Sequence, residues 1–231
     1  MSKTENAATV SLDPPLAYPD YRSSILRAPT LPPVVLEPGR AERSGPVFGD
    51  SAVDPLEYDL TRQADRAPVG ERIVVEGRVV DRDGRPVPGT LVEVWHANAA
   101  GRYAHPSDVH TAPLDPGFVG AGRCLTDVDG TYRFVTIKPG AYPWGNHRNA
   151  WRPAHIHFSL FGRAFTQRLI TQMYFPGDPL MDHDPIFQSV PVAGRPLLVA
   201  AFDLGLTRPD WALGYRWDVV LGGHAPTPVE T

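Results

Sequence analysis

Proline constrains this chain more than any other residue type: it supplies 26 of the 231 residues, with glycine adding 21. Inside a helix, proline removes a backbone hydrogen bond and clashes with the preceding turn; inside a central strand it removes a ladder bond. The chain must therefore use short elements joined by turns and long ordered loops. Residues 1–70 hold ten of the prolines and show neither a helical nor a strand period. LDPPLAYPDY and LPPVVLEPG read there as extended or polyproline-like backbone. Yet Tyr18, Tyr21, Ile25, Leu26, Val34, Val35 and Leu36 give this stretch apolar groups that a free tail would not need. Residues 1–70 are expected to form an arm packed on its own domain or on a partner, and residues 71–231 the main domain.

From residue 71 the pattern changes. ERIVVEGRVVD and TLVEVWHA read as strands, and TDVDGTYRFVTI as a hairpin across Asp129-Gly130. AHIHFSLFG and TQRLITQMYF follow, joined by a short turn around Gly162–Ala164, and then LLVAAFDL and YRWDVVL. In the last segment Tyr215, Trp217, Val219 and Leu221 alternate with Arg216, Asp218 and Val220, the period of a strand with one buried face. Short strands with Pro- and Gly-rich connections predict an all-β fold, an antiparallel β-sandwich with an extended N-terminal arm. Residues 98–123 and 138–153 are the long connections, and function concentrates on such loops.

Charge and cysteine exclude several function classes. A net charge of −4 and a pI near 6.0 provide no basic face for nucleic acid or an anionic membrane, and neither is expected as a partner. The N-terminus has no apolar signal core and no run long enough to span a bilayer, so a cytoplasmic location is expected. The single cysteine, Cys124, permits no internal disulfide and no thiolate zinc cage; it reads as a small buried hydrophobe.

The chemistry begins at His155-Ile156-His157. Residues two apart on a strand point to one face, so both imidazoles project together while Ile156 and Phe158 point the other way. Alone, such a pair is an ordinary feature of a wet sheet face. Its neighbours sharpen the reading. Trp151-Arg152-Pro153 places a cation and a large apolar group just upstream. Tyr142-Pro143-Trp144 lies in the preceding loop, where proline pre-shapes the backbone and can aim a phenol. Tyr103 lies in the other long loop. Zinc hydrolases and Fe(II) facial triads call for a carboxylate or further histidine. Residues 138–176 contain no carboxylate, so one would have to come from elsewhere, such as Asp108 or Asp178. Two phenolates with two neutral imidazoles would instead suit a trivalent ion, as tyrosinate suits ferric haem.

The segments LVEVWHANAAGRYAHPSD, GRCLTDVDGTYRFVTIKPGAYPW, WRPAHIHFSLFG and QRLITQMYFPGDPL resemble the intradiol ring-cleavage dioxygenases. The resemblance runs from about residue 19 to 222 and is closest to the iron-bearing beta chains of the protocatechuate-cleaving branch. It implies non-haem Fe(III) bound by Tyr103, Tyr142, His155 and His157, with Tyr142 as the ligand that leaves the iron when substrate binds. It further implies that Arg152 steadies developing negative charge and that Gln172 borders the oxygen side. Trp144 and Ile186 would be pocket walls, and Tyr21 would reach the substrate carboxylate. The implied reaction inserts O2 between the two hydroxylated carbons of protocatechuate (3,4-dihydroxybenzoate), giving 3-carboxy-cis,cis-muconate in aromatic catabolism. The implied partner is a related, iron-free alpha subunit. No cation beyond Arg152 presents itself for the carboxylate, so a second is expected from that partner. Two alternatives remain at this stage: an intradiol enzyme for catechol or hydroxyquinol, and a sandwich binding module without catalysis.

Overall fold

The computed structural model describes residues 11–34, 53–54, 57–162, 165–222 and 225–230. Its central strand is β1 (Arg72–Asp81), whose Ile73, Val74, Val75 and Val79 are completely buried. β4 (Thr131–Ile137) runs antiparallel along one side of β1. β10 (Leu213–Arg216) and β11 (Val219–Leu221) follow the other side, both parallel to it. They keep a common register across a break at Trp217-Asp218. Gly77 permits that break, because a Cβ there would run into the Trp217 carbonyl. β9 (Ala201–Phe202) completes this sheet against β10.

The second sheet is antiparallel throughout, in the order β3 (Ala121–Leu125), β2 (Leu91–Trp95), β7 (His155–Gly162), β8 (Phe165–Tyr174). Between the sheets lie Val75, Phe134, Val92, Ile156, Phe158, Leu160, Met173 and Trp217 in one apolar cluster. Truncating a ring as enclosed as Phe158 would cost about 3–5 kcal/mol. The all-β sandwich expected from the sequence is present, with the parallel ladders of β1 and the isolated parallel bridges Asp59–Val135 and Tyr174–Val199 departing from antiparallel pairing. Cys124 is buried in this core, and burial pushes its thiol up to about 12.

Two local expectations are corrected. Asp129-Gly130 does make a turn, with Gly130 N donating to Asp127 O at 3.0 Å. The strands it joins are not a hairpin: β3 pairs with β2 and β4 with β1, so this turn carries the chain from one sheet to the other. LLVAAFDL shrinks to the two residues of β9, because Pro196 starts a short 3-10 turn over Arg195–Leu198. The turn expected around Gly162–Ala164 lies partly outside the described residues, as do Val35 and Leu36 of the arm.

Residues 11–34 lie against the domain through α1 (Arg22–Arg27). Asn146 joins the two: its Nδ2 donates to Asp20 O at 2.7 Å, and its Oδ1 accepts from Arg22 N at 2.9 Å. Tyr21 is buried, while Leu26, Leu31 and Val34 are exposed. Further along, Leu60 is fully buried in the main core, and Leu60 N donates to Val135 O at 2.9 Å.

Candidate metal centre

The alternation of β7 places His155 and His157 on its outer face, opposite Ile156 and Phe158, which are wholly buried in the core. Each imidazole uses its Nδ1 for a partner that accepts a proton. His155 Nδ1 lies 2.8 Å from the Pro153 carbonyl, and His157 Nδ1 lies 3.2 Å from Glu230 Oε2. Both Nδ1 atoms therefore carry the hydrogen, and both Nε2 atoms turn lone pairs toward one point. The two Nε2 atoms are 3.2 Å apart, and His155 Nε2 is 3.3 Å from Tyr142 Oη. Two donors each ~2.1 Å from one ion and at right angles to each other would lie ~3 Å apart, so these spacings fit a shared ion. The Trp95 ring stacks on His157, with centroids 4.9 Å apart and planes 2° from parallel.

The phenols arrive on loops. β5 (Tyr142–Pro143) and β6 (Trp151–Arg152) form a two-stranded ribbon that pairs Tyr142 with Arg152. Tyr103 is fixed by Asp108, whose Oδ2 accepts from Tyr103 N at 2.8 Å. The two loops touch backbone to backbone at Gly101 and Gly140. Gly140 N donates to Asn98 O at 3.0 Å, and a Cβ on Gly101, which sits at φ +78°, would strike the Ala141 carbonyl. Glycine is needed there for both reasons. The two tyrosine rings meet edge to face at 5.5 Å. Tyr103 Oη is buried with no hydrogen-bond partner of proper geometry. Burial pushes its pKa well above the ordinary phenol range, and the Tyr142 phenol pushes the same way. A buried orphan phenol whose ring lies 6.5 Å from that of His157 fits a hard, highly charged cation, which would ionise it.

Neither candidate carboxylate is free to make a facial triad. Asp108 is held by Tyr103 N and His110 N, and Asp178 by Ala154 N and Leu180 N. Among the described residues, no three His, Cys, Asp or Glu side chains are placed to hold an ion. The donor set that does converge is His155, His157, Tyr142 and Tyr103.

Arg152 borders this point. Its Nη1 is 3.1 Å from His155 Nε2, and its Nη2 donates to Gln172 Oε1 at 2.7 Å, Tyr174 Oη at 3.0 Å and Asp184 Oδ2 at 2.8 Å. Arg152 and Asp184 are both almost completely enclosed. Burial works against the guanidinium charge, but Tyr174 and Asp184 outweigh it and hold Arg152 well above its usual range. His155 goes the other way: burial, then Arg152, then His157 keep it neutral far below the usual imidazole range. Burial would raise the Glu230 carboxyl, but the His157 hydrogen bond prevails and the group is held below its ordinary value.

The remaining sequence candidates gather around the same point. Arg152 lies over the Trp144 ring at 5.7 Å, and Trp144 packs on Tyr21 at 5.6 Å. Ile186, on α2 (Pro185–Ser189), lines a small cavity with Gln172, Tyr174 and Glu230. Trp151 is partly exposed and meets His110 edge to face, so it walls the outside of the loop and not the imidazole pair. His147 and His183 line a polar cleft with Asp20, Arg22 and Asn146, away from the four donors.

Several contributors escaped the sequence reading. Arg27 is one: its Nη2 donates to Tyr21 Oη at 2.9 Å. Trp95, Tyr174 and Glu230 carried no local signal. Asp184 did carry one, since Asp-Pro at 184–185 is an N-cap followed by proline in the first helical turn.

Comparison with known proteins identifies the family. A family model described as Dioxygenase matches residues 43–223, and one described as Protocatechuate 3,4-dioxygenase beta subunit N terminal matches residues 14–39. The chain is 59% identical to a protocatechuate 3,4-dioxygenase beta chain of Burkholderia cepacia, over 94% of this chain and 93% of that one. It is 36% identical to a hydroxyquinol 1,2-dioxygenase of a Rhizobium species, over 51% of this chain and 42% of the relative. The crystal structure of 3-chlorocatechol 1,2-dioxygenase from Rhodococcus opacus superposes with a TM-score of 0.58 at 26% identity, covering 78% of this chain and 71% of that one.

Proposed function

We propose, on the premise that the chain belongs to the intradiol ring-cleavage dioxygenase family, that it is the iron-bearing chain of an enzyme that cleaves protocatechuate with O2 between its two hydroxylated carbons. The product is 3-carboxy-cis,cis-muconate. The observation that carries the reading is that His155 Nε2 lies 3.2 Å from His157 Nε2 and 3.3 Å from Tyr142 Oη, with the unpartnered Tyr103 phenol beside them. Intradiol dioxygenases are non-haem iron enzymes, and these four side chains would hold the ion as Fe(III).

Bound there, Fe(III) would supply a template and a Lewis acid for a chelated, deprotonated diol. The protein's own groups do the rest. A diol must lose two protons to chelate; Tyr142, as a phenolate, would accept one at Oη, and a hydroxide ion from solvent would take the other and become water. Tyr142 suits this role because it sits on a two-residue ribbon and not within a continuous sheet. Arg152 Nη1 lies 3.1 Å from His155 Nε2, where it would offset negative charge that develops on the diol oxygens; one such contact in a dry site contributes a few kcal/mol. Gln172, held through its Oε1 by Arg152 and Tyr174, borders the oxygen side. Trp144 and Ile186 wall the ring, and both are packed against residues already fixed. Tyr21, which accepts from Arg27, would receive the substrate carboxylate.

The match of residues 14–39 to a beta-subunit N-terminal model, together with the exposed Leu26, Leu31 and Val34, supports an iron-free alpha chain as the partner that covers the arm. A catechol or hydroxyquinol enzyme is the weaker reading, since the hydroxyquinol relative matches only half of this chain. Steady-state kinetics with protocatechuate and catechol, on this chain alone and with its partner, test the assignment. Strong preference for protocatechuate is expected, because a site built around a buried carboxylate binds poorly a diol that lacks it. Equal turnover of both diols by the isolated chain would overturn it.

A further inference from the structure

One anion of the site has no part in the chemistry above. Glu230 is 73 residues from His157 in the chain, yet its Oε2 lies 3.2 Å from His157 Nδ1, with only 21% of its side chain exposed. It arrives there because the 225–230 segment is fastened along β8. Glu230 N donates to Ile170 O at 2.8 Å, and Thr171 Oγ1 donates to Pro228 O at 2.7 Å. Val229 N donates to Asp13 Oδ1 at 3.1 Å, so the N-terminal arm holds the same segment from its other side.

The two imidazoles are therefore supported unequally. His155 leans on a carbonyl two residues upstream, just before its own strand, whereas His157 leans on an ionisable group delivered by a separate segment. A carboxylate behind a ligand histidine fixes which nitrogen carries the hydrogen, fixes the ring plane, and makes the other nitrogen a stronger donor. Trp95 holds the same ring by stacking, so its orientation is set on the face by Trp95 and at the edge by Glu230.

We infer that Glu230 is the positioning residue for the metal donor His157, and that Asp13 acts through Glu230 by securing the segment that carries it. The inference rests on the iron reading of the site.

The test measures iron affinity by competition with a chelator, and melting temperature with and without iron, in the wild type, Glu230→Gln, Glu230→Ala, Asp13→Ala and the Asp13→Ala/Glu230→Ala double variant. Glu230→Gln should weaken iron binding about tenfold and Glu230→Ala by up to about a hundredfold. The tyrosinate-to-iron absorption band should move to lower energy as His157 becomes a poorer donor. The iron-free melting temperatures should stay together, which a merely structural role would not allow. Asp13→Ala should cost less than Glu230→Ala, and the double variant no more than Glu230→Ala alone, because one residue works through the other. Unchanged iron affinity in Glu230→Ala, or an iron-free melting temperature that falls as far as the loaded one, would overturn the inference and leave the iron reading standing. A wild-type chain that takes up no iron would overturn both.

Discussion

The two halves of the site are built differently. His155, His157 and Gln172 stand on neighbouring strands, β7 and β8, whose ladder is continuous from His155 to Leu160. Tyr103 and Tyr142 stand on long connections and meet only because two glycines let those connections touch. Each strand-borne imidazole has its Nδ1 committed to a partner. By contrast, one loop-borne phenol has no partner and the other has a 3.3 Å contact to His155. On the proposed reading, the strands would retain the ion and the loops would exchange protons.

The sharpest way to break that comparison is to remove a strand-borne donor. His155→Ala or His157→Ala should abolish most iron binding, since each deletes a neutral donor on a rigid element. Metal content of the purified variants checks this, and near-stoichiometric iron in either would erase the distinction between the halves. Removing the loop-borne base should act on turnover instead. Tyr142→Phe should retain more iron than either histidine variant but lower kcat by about a hundredfold or more, the usual contribution of a positioned acid–base group. Normal turnover in this variant would remove Tyr142 from proton transfer.

How much of this was legible in the sequence follows the same division. His155 and His157 were readable because period two is a local rule, and Arg152 because it stands three residues from His155. The aim of Tyr142 was suggested by its proline. The packing of Asp184 and Glu230 on the site was not readable, because their contacts with Arg152 and His157 join residues 32 and 73 apart. No local pattern encodes which distant acid a buried cation or imidazole will meet. The Asp129-Gly130 turn makes the same point for the fold. Turn chemistry dictates that the chain reverses there, but the choice of sheet for β3 and β4 is made by long-range packing. The arm's Tyr21 was placed by resemblance, and its Arg27 neighbour appeared only once α1 brought residues six apart together.

His96 provides a smaller test, as a buried histidine with both nitrogens committed. Its Nδ1 is 2.8 Å from Ala97 O and its Nε2 is 2.8 Å from Thr136 Oγ1, so no lone pair is left for an ion. Burial lowers it to about 4, against ~6.5 in an unfolded chain. The unfolded state therefore takes up a proton as pH falls through ~6.5 while the folded state does not until about 4. Stability conferred by the neutral ring is complete above that window and is lost within it, by roughly 3 kcal/mol in all. His155 contributes to the same slope in iron-free protein, so the informative quantity is the difference between wild type and His96→Gln. Urea unfolding across this window should show a flatter profile in the variant; identical profiles would contradict the assignment of His96 as a core histidine.

The smallest effect is expected at the substrate's far end. Tyr21→Phe should raise KM for protocatechuate roughly tenfold, the loss of about one charge-assisted hydrogen bond, and leave the weak catechol activity nearly unchanged. Equal losses on both diols would place Tyr21 in folding of the arm instead of carboxylate recognition.

The most direct test of the account is metal analysis of the purified chain together with its visible absorption. The four converging donors predict one ferric ion per chain and a red-brown colour from tyrosinate-to-iron charge transfer. A colourless protein carrying stoichiometric zinc and no iron would contradict it.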